Sequence, residues 1–260
     1  MIRYFFHIAY KGTAYRGWQR QKNTSNTIQE IIESRLENIL KYRTPILGCG
    51  RTDSGVHASQ YFFHVDIKAE LSDDFISIIN KILPADIVVF DIFQVEQNLH
   101  AQFNAIERTY DYFIHTYKDP YLSQFSSYYD IQNLNFAKMK EAANRLLLYN
   151  DFRAFCKTPD RHTSTICIIK SVDLIINETK NKIRFTITAN RFLKSMIRII
   201  VYNLIQVAKE NITLDEFELY LKNKQAPEYF NQAYPQGLYL SRVKYPSFNI
   251  SPQSNILPLF

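Results

Sequence analysis

The sequence predicts an α+β fold class, arranged as two halves that each run β-α-β-β-α-β. Three observations predict it. Alternating apolar stretches and longer stretches with helical spacing follow one another in the same order twice. Caps and turn residues punctuate them, with no long linker or low-complexity tract. The composition, 46% hydrophobic and 22% charged over 260 residues, supplies a core for one large domain or two intimate halves.

In the first half, Ile2 to Tyr10 alternates as a strand and turns at Lys11-Gly12-Thr13. Thr27 with Glu30 forms a capping box ahead of Ile28, Ile31, Ile32, Leu36, Ile39 and Leu40, a helix ending near Tyr42. Ile46-Leu47 is a short apolar run. Gln60 to Ile67 then places Tyr61, Phe63, Val65 and Ile67 on one face and Gln60, His64 and Asp66 on the other, the period of a half-buried strand. Ser72 caps a second helix carrying Phe75, Ile76, Ile79, Ile82 and Leu83, which Pro84 stops. Ile87 to Val95 is the closing strand.

The second half opens with the strand Arg108 to Tyr117, bearing Tyr110, Tyr112 and Ile114 on one face. Asn135 caps a helix with Phe136, Met139, Ala143, Leu146 and Leu147 inward. Ile166 to Ile176 and Ile183 to Ala189 are strands joined by the turn Asn177-Glu178-Thr179-Lys180-Asn181. Arg191 to Lys209 reads as a long helix with Phe192, Met196, Ile200, Leu204 and Ala208 along one stripe. A short helix capped by Thr213 and Glu216 and the strand Leu238 to Lys244 complete it. Each half is then the split ferredoxin-like arrangement. Their pseudo-symmetry rests on element order, since no residue-level repeat is present. The boundary falls between Asn98 and Arg108, giving an N-terminal half 1–104, a C-terminal half 105–246 and a tail 247–260. Largely antiparallel sheets with helices on one face are expected, with a cleft between the halves for a large ligand.

Net charge is +6, with a pI of about 9.0, compatible with a polyanionic partner. Aromatic residues reach 15%, and such rings fill cores or stack on bases. Cys49, Cys156 and Cys167 are odd in number and lack C-x-x-C spacing, against a disulfide framework or zinc site and for a reducing compartment. The first residues form a strand pattern without the apolar region of a signal peptide, so a cytoplasmic location is expected.

One stretch concentrates chemistry. Gly48-Cys49-Gly50-Arg51-Thr52-Asp53-Ser54-Gly55-Val56-His57 holds three of the chain's six glycines around one guanidinium and one carboxylate. Between two strands, it is a loop that presents Arg51 and Asp53 on a rigid mounting. Residues 50 to 57 resemble the G-R-T-D-A-G-V-H signature of the TruA-type tRNA pseudouridine synthases, broken only by Ser54 for alanine. Other stretches share the resemblance: Tyr10 to Gln19 is similar to Y-D-G-x-x-Y-x-G-W-Q, and Asn190 to Arg198 to N-x-F-L-x-x-M-x-R. Arg108-Thr109-Tyr110-Asp111-Tyr112 is similar to R-x-Y-x-Y, and Leu83 to Ile87, Asp151 to Phe155 and Gly237 to Leu240 have counterparts too.

The resemblance implies conversion of uridine to pseudouridine in the anticodon stem-loop of tRNA, at positions 38–40, by a cofactor-free homodimer with RNA in the cleft. It implies Asp53 as catalytic carboxylate, acting by attack on the nucleoside or by removal of a sugar proton. Arg51 is associated with the flipped base, Arg198 with the aspartate, and Tyr110 with the base as stacking partner and proton acceptor. Arg16, Arg20, Lys22, Arg191 and Lys194 are expected at phosphates, where they position RNA without reading sequence. On residues alone, each cation reads first as a solvated surface charge, and a core residue beside Tyr112 is a strong competing reading for Tyr110. A paralogue with a shifted RNA target, a non-catalytic RNA-binding protein and a nucleoside hydrolase are the rival readings; the last usually needs a second acid, which the motif lacks.

Three positions depart from the family pattern: Gln102 stands for an arginine, Tyr202 for a glycine and Lys11 for an aspartate. His57, His64 and Asp66 do not have metal-ligand spacing. Neither G-x-x-x-x-G-K-[ST] nor G-x-G-x-x-G occurs, so no nucleotide cofactor is expected.

Overall fold

The structure is a computed structural model that describes residues 1–227 and 230–253. The chain divides into two compact units. Met1–Ile106 with the described residues 239–253 forms the first, and Glu107–Leu238 the second. The final strand, read from sequence as part of the C-terminal half, thus groups from Tyr239 with the first unit. Residues 254–260 of the expected tail lie outside the described residues.

The first unit runs β1 (Ile2–Tyr10), α1 (Ile28–Leu40), β2 (Leu47–Gly48), β3 (His57–Ile67), α2 (Phe75–Ile82) and β4 (Ile87–Val95). β1 lies between β3 and β4, antiparallel to both, and β2 adds a short antiparallel pairing to β3. Thr27 caps α1 through its hydroxyl, which accepts from the Glu30 backbone N–H at 3.3 Å. α2 begins later than the sequence indicates: Asp74, not Ser72, is its N-cap residue. Ser72 instead accepts the Phe75 N–H through its carbonyl and donates its hydroxyl to Asp74, closing a turn before the helix.

β3 also departs from the half-buried strand that its alternation predicts. Gln60 and His64 are fully enclosed, as are Tyr61, Phe63, Val65 and Ile67. One face packs toward the helices, with Phe6 stacked on Phe63 and edge-on to Phe75 of α2. The other is covered by the unit's own C-terminal segment, where Tyr245 and Phe248 pack against Phe5 and Phe62. Gln60 and His64 on that face are buried together with hydrogen-bond partners. Gln60 accepts from Val243 N–H and donates to Ile250 O, and His64 Nδ1 accepts from Ala101 N–H. β9 (Leu238–Lys244) completes the sheet, pairing in parallel with β3 at His57 and Ala58.

The second unit contains β5 (Glu107–His115), β6 (Ser127–Tyr128), α3 (Phe136–Arg145), β7 (Ile169–Ile176), β8 (Lys182–Ala189), α4 (Met196–Ala208) and α5 (Leu214–Asn223). β8 lies between β5 and β7, antiparallel to both. The observed mixture is therefore α+β with mostly antiparallel pairing. Asn135 caps α3 as expected, but Leu147 is exposed and Phe136 only half-buried, so Met139, Ala142 and Ala143 carry the buried face. Thr213 and Glu216 form a reciprocal capping box on α5. No helix among the described residues is long and apolar enough to cross a membrane.

α4 starts five residues later than its apolar stripe suggests. The Asn190 side-chain oxygen accepts the Arg191 and Ile168 backbone N–H groups at 2.9 and 2.8 Å, holding residues 190–195 out of helical conformation. Ser195, at φ +59°, turns the chain into the helix. Arg191 and Lys194 consequently lie on an exposed loop ahead of α4.

Candidate active site

Residues 49–56 join β2 to β3, and the loop is seated against residues 10–18 on both sides of Asp53. On one side, Thr52 O accepts Trp18 N–H at 3.1 Å while its hydroxyl meets Tyr10 Oη at 2.8 Å. On the other, Gly55 N–H and Ser54 Oγ both donate to Tyr15 O, at 3.3 and 3.1 Å. The turn itself is closed by Val56 N–H to Asp53 O at 3.1 Å, with Gly55 at φ +79°, the value a type II turn requires at that place. Close seating depends on Gly17, whose φ is +89° and where a Cβ would lie 2.6 Å from Thr52 O. Beneath it, Trp18 is 2% exposed and packs on Tyr61 with ring centroids 4.1 Å apart, while Tyr61 Oη donates to Gly50 O.

This mounting leaves Asp53 half-exposed and Arg51 exposed. Arg51 Nε donates to Gln19 Oε1 at 3.0 Å, so the guanidinium is tethered by one edge. His57, at the loop's exit, is buried; its Nδ1 accepts Gly12 N–H at 3.2 Å and its ring stacks on Tyr239 at 4.4 Å. Among the described residues no group of His, Cys, Asp and Glu is placed to hold a metal ion.

Arg16 and Lys22 are exposed. Arg20 is not comparable to them. Its guanidinium pairs with Glu33 of α1 and lies 3.8 Å from Glu30, so much of its charge is answered within the unit. Of the departing residues, Lys11 is half-buried with its N–H bound to Asp86 O, and Gln102 is exposed.

In the second unit, Tyr110 and Tyr112 share a face of β5 but not an environment. Tyr112 is 0% exposed, with its Oη 2.7 Å from Tyr234 O and 2.8 Å from Ser127 Oγ. Burial pushes its phenol well above the ordinary range, Tyr129 adds to this, and Ser127 and the Arg198 charge oppose it. Tyr110 is half-exposed, and its ring stands edge-on to Phe192 at 5.2 Å, which joins β5 to the 190–195 loop. Arg198, on the first turn of α4, is not a solvated helix charge: it is half-buried, its Nε donates to Ala233 O at 2.7 Å, and its own carbonyl accepts Ala233 N–H at 2.9 Å. Tyr202, in the glycine's place, is half-buried one turn on, 3.4 Å from Asn231 Nδ2.

The structure thus brings Arg51, Asp53 and Gln19 together in one unit, and Tyr110, Phe192 and the Arg191/Lys194 loop together in the other. Sequence reasoning passed over Thr52, Phe192 and the Ala233 carbonyl as supports. It also passed over Gln29 and Glu33, two polar residues four apart within the buried stripe of α1; that spacing was the available signal.

A family model described as tRNA pseudouridine synthase matches residues 7–104 and 142–246. Those segments hold Arg51 and Asp53 in the first and Arg191, Lys194 and Arg198 in the second. The tRNA pseudouridine synthase A of Bacteroides fragilis is 38% identical over 247 residues, covering 94% of this chain and 96% of that one. That of Porphyromonas gingivalis is 34% identical over 253 residues, covering 95% and 98%. That of Limosilactobacillus reuteri is 32% identical over 255 residues, covering 94% and 97%. With matches this long in both directions, the chain belongs to the tRNA pseudouridine synthase family.

Proposed function

We propose that the protein isomerises uridine to pseudouridine in the anticodon stem-loop of tRNA, at positions 38–40, with Asp53 as the acting carboxylate. The observation that carries this reading is the half-exposed Asp53 on a turn clamped at Thr52 and at Ser54–Gly55, next to the tethered Arg51. The reaction breaks the bond from the sugar to N1 of the base, turns the base and bonds the sugar to C5. The proton leaving C5 and the one gained at N1 balance, so no electrons are exchanged. A carboxylate fits either route, attack on the nucleoside or removal of a sugar proton.

The remaining roles follow. Arg51 and Arg198 supply positive charge for the carboxylate and the flipped base. Taking a base out of its stack costs a few kcal/mol, and an aromatic ring returns about 1–3 kcal/mol, the role given to Tyr110. Arg16, Lys22, Arg191 and Lys194 meet phosphates, while Arg20, expected among them, is held by Glu33 of α1. The enzyme works in the cytoplasm as a homodimer without metal or cofactor, a state that light scattering checks as twice the chain mass.

Asp53→Asn is nearly isosteric and removes the ionised form. It should abolish pseudouridine in tRNA while binding of tRNA survives, read by mapping the modification and by filter binding. Substantial turnover in Asp53→Asn would refute the assigned role, free uracil would indicate hydrolysis, and an unmodified position 38–40 with a modified uridine elsewhere would shift the target.

A further inference from the structure

The tether on Arg51 is the outer end of a directed hydrogen-bond chain. Arg51 Nε donates to Gln19 Oε1 at 3.0 Å, and Gln19 Nε2 donates to Gln29 Oε1 at 2.7 Å. Gln29 Nε2 donates in turn to Glu33 Oε1 at 3.0 Å and to Ile46 O at 3.1 Å. Gln29 and Glu33 are only 6% and 7% exposed, one turn apart on α1. The other Glu33 oxygen takes the Arg20 guanidinium, which keeps the buried carboxylate compensated.

The buried end sets the polarity. A carboxylate only accepts, and Glu33 Oε1 also takes Ile46 N–H at 3.0 Å, so Gln29 must turn its NH2 inward. Its oxygen then faces outward, where it accepts from Gln19 Nε2 and from Arg20 N–H at 2.9 Å. Gln19 is left with its oxygen toward Arg51. Reversing either amide would set donor against donor or acceptor against acceptor.

We infer that Glu33 and Gln29 are positioning residues for pseudouridine formation: they orient Gln19, which fixes Arg51 through Nε and leaves its Nη edge for the substrate. This rests on the role given to Arg51 above. If these residues served only to join α1 to the segment at Ile46, their loss would lower stability and leave Arg51 as it was.

Two variants separate the cases. Glu33→Gln replaces the acceptor-only group with an amide, so the chain loses its fixed direction. Gln19→Met removes the last acceptor while leaving Gln29 and Glu33 intact; if Glu33→Gln does not fold, it carries the test alone. The readouts are kcat and KM on tRNA, and hydrogen exchange of the Arg51 Nε–H by nitrogen-15 NMR, its signal identified by absence in Arg51→Lys. Because misplacing a reacting group by about 1 Å can cost about 10²-fold, kcat should fall about tenfold or more in each variant with KM little changed. The Arg51 Nε–H should exchange faster in each. Wild-type kcat in Gln19→Met, or wild-type protection of that N–H in the variants, overturns the inference. Wild-type turnover in Arg51→Ala instead overturns the role assigned to Arg51 itself.

Discussion

Two residues apart on β5, Tyr110 and Tyr112 receive different treatment from the fold. The Tyr112 hydroxyl is sealed among Tyr234 O, Ser127 Oγ and Tyr129 Oη. Removing it deprives the buried Ser127 hydroxyl and the Tyr234 carbonyl of that donor, a loss of about 1–3 kcal/mol. Tyr110 is half-exposed, and its contact with Phe192 is made by the ring, which Phe retains. With Tyr110 half-exposed and Tyr112 sealed, Tyr110→Phe should lose less stability than Tyr112→Phe while pseudouridine formation falls, and Tyr112→Phe should melt several degrees lower. Thermal unfolding and turnover measured on the same preparations check this. A Tyr110→Phe variant that loses stability as Tyr112→Phe does would make Tyr110 a core residue and remove it from the proposed site.

At the scale of elements, β1 and β3 owe their acid response to burial on two faces. His7 is 0% exposed, and neither ring nitrogen has a hydrogen-bond partner among the described residues; it stacks on Phe62 at 4.8 Å and lies 5.3 Å from Phe90. Burial lowers its pKa to about 4, with Asp91 opposing. His64 is also lowered to about 4, by burial first, then by Arg3 and His100, against Asp66 and the Leu47 carbonyl. The unfolded chain takes these protons near 6.5. A pKa depressed by folding in a base means these groups cost nothing above about pH 6.5, lower stability progressively as pH drops toward 4, and lower it no further below that. His7→Phe, a ring of similar shape, should flatten the fall in melting temperature between about pH 7 and about pH 4 relative to wild type. A curve as steep as wild type would assign the acid response elsewhere. Neither histidine's burial is visible in the sequence, because Tyr245 and Phe248, which cover the β3 face, come from the far end of the chain. Strands bounded by local turn chemistry were legible: Ile2–Tyr10, Ile87–Val95 and Leu238–Lys244 fall where alternation places them. The start of α4 was not, because the apolar stripe continues through Phe192 while a single Asn190 side chain unravels that turn.

Across the whole molecule, the proposed site residues became legible through spaced motifs. Periodicity alone would have left Asp53 in a turn and Arg198 on a helix margin. What motifs could not show is which cations are already answered inside the fold. With a net charge of +6, the protein is suited to a polyanion, but its basic residues are not equivalent as phosphate contacts. Lys22, Arg16 and Lys194 are exposed. Arg20 holds Glu33 and approaches Glu30, so meeting a phosphate would expose a carboxylate that is 9% accessible to the loss of its partner. Each phosphate neutralised on RNA contributes roughly 0.7–0.9 to the slope of log affinity against log salt, and removing one such contact reduces that slope by about 1. Lys22→Ala, Arg16→Ala and Lys194→Ala should each flatten the salt dependence of tRNA binding by about that amount without moving the modified uridine. Arg20→Ala should change the slope little and reduce stability instead, because it strips Glu33 of its counter-charge. Titrations of tRNA binding at several salt concentrations, paired with melting curves, decide the matter. If Arg20→Ala flattens the slope as much as Lys22→Ala, the guanidinium leaves Glu33 for the RNA, and its pairing on α1 is a resting state that substrate undoes.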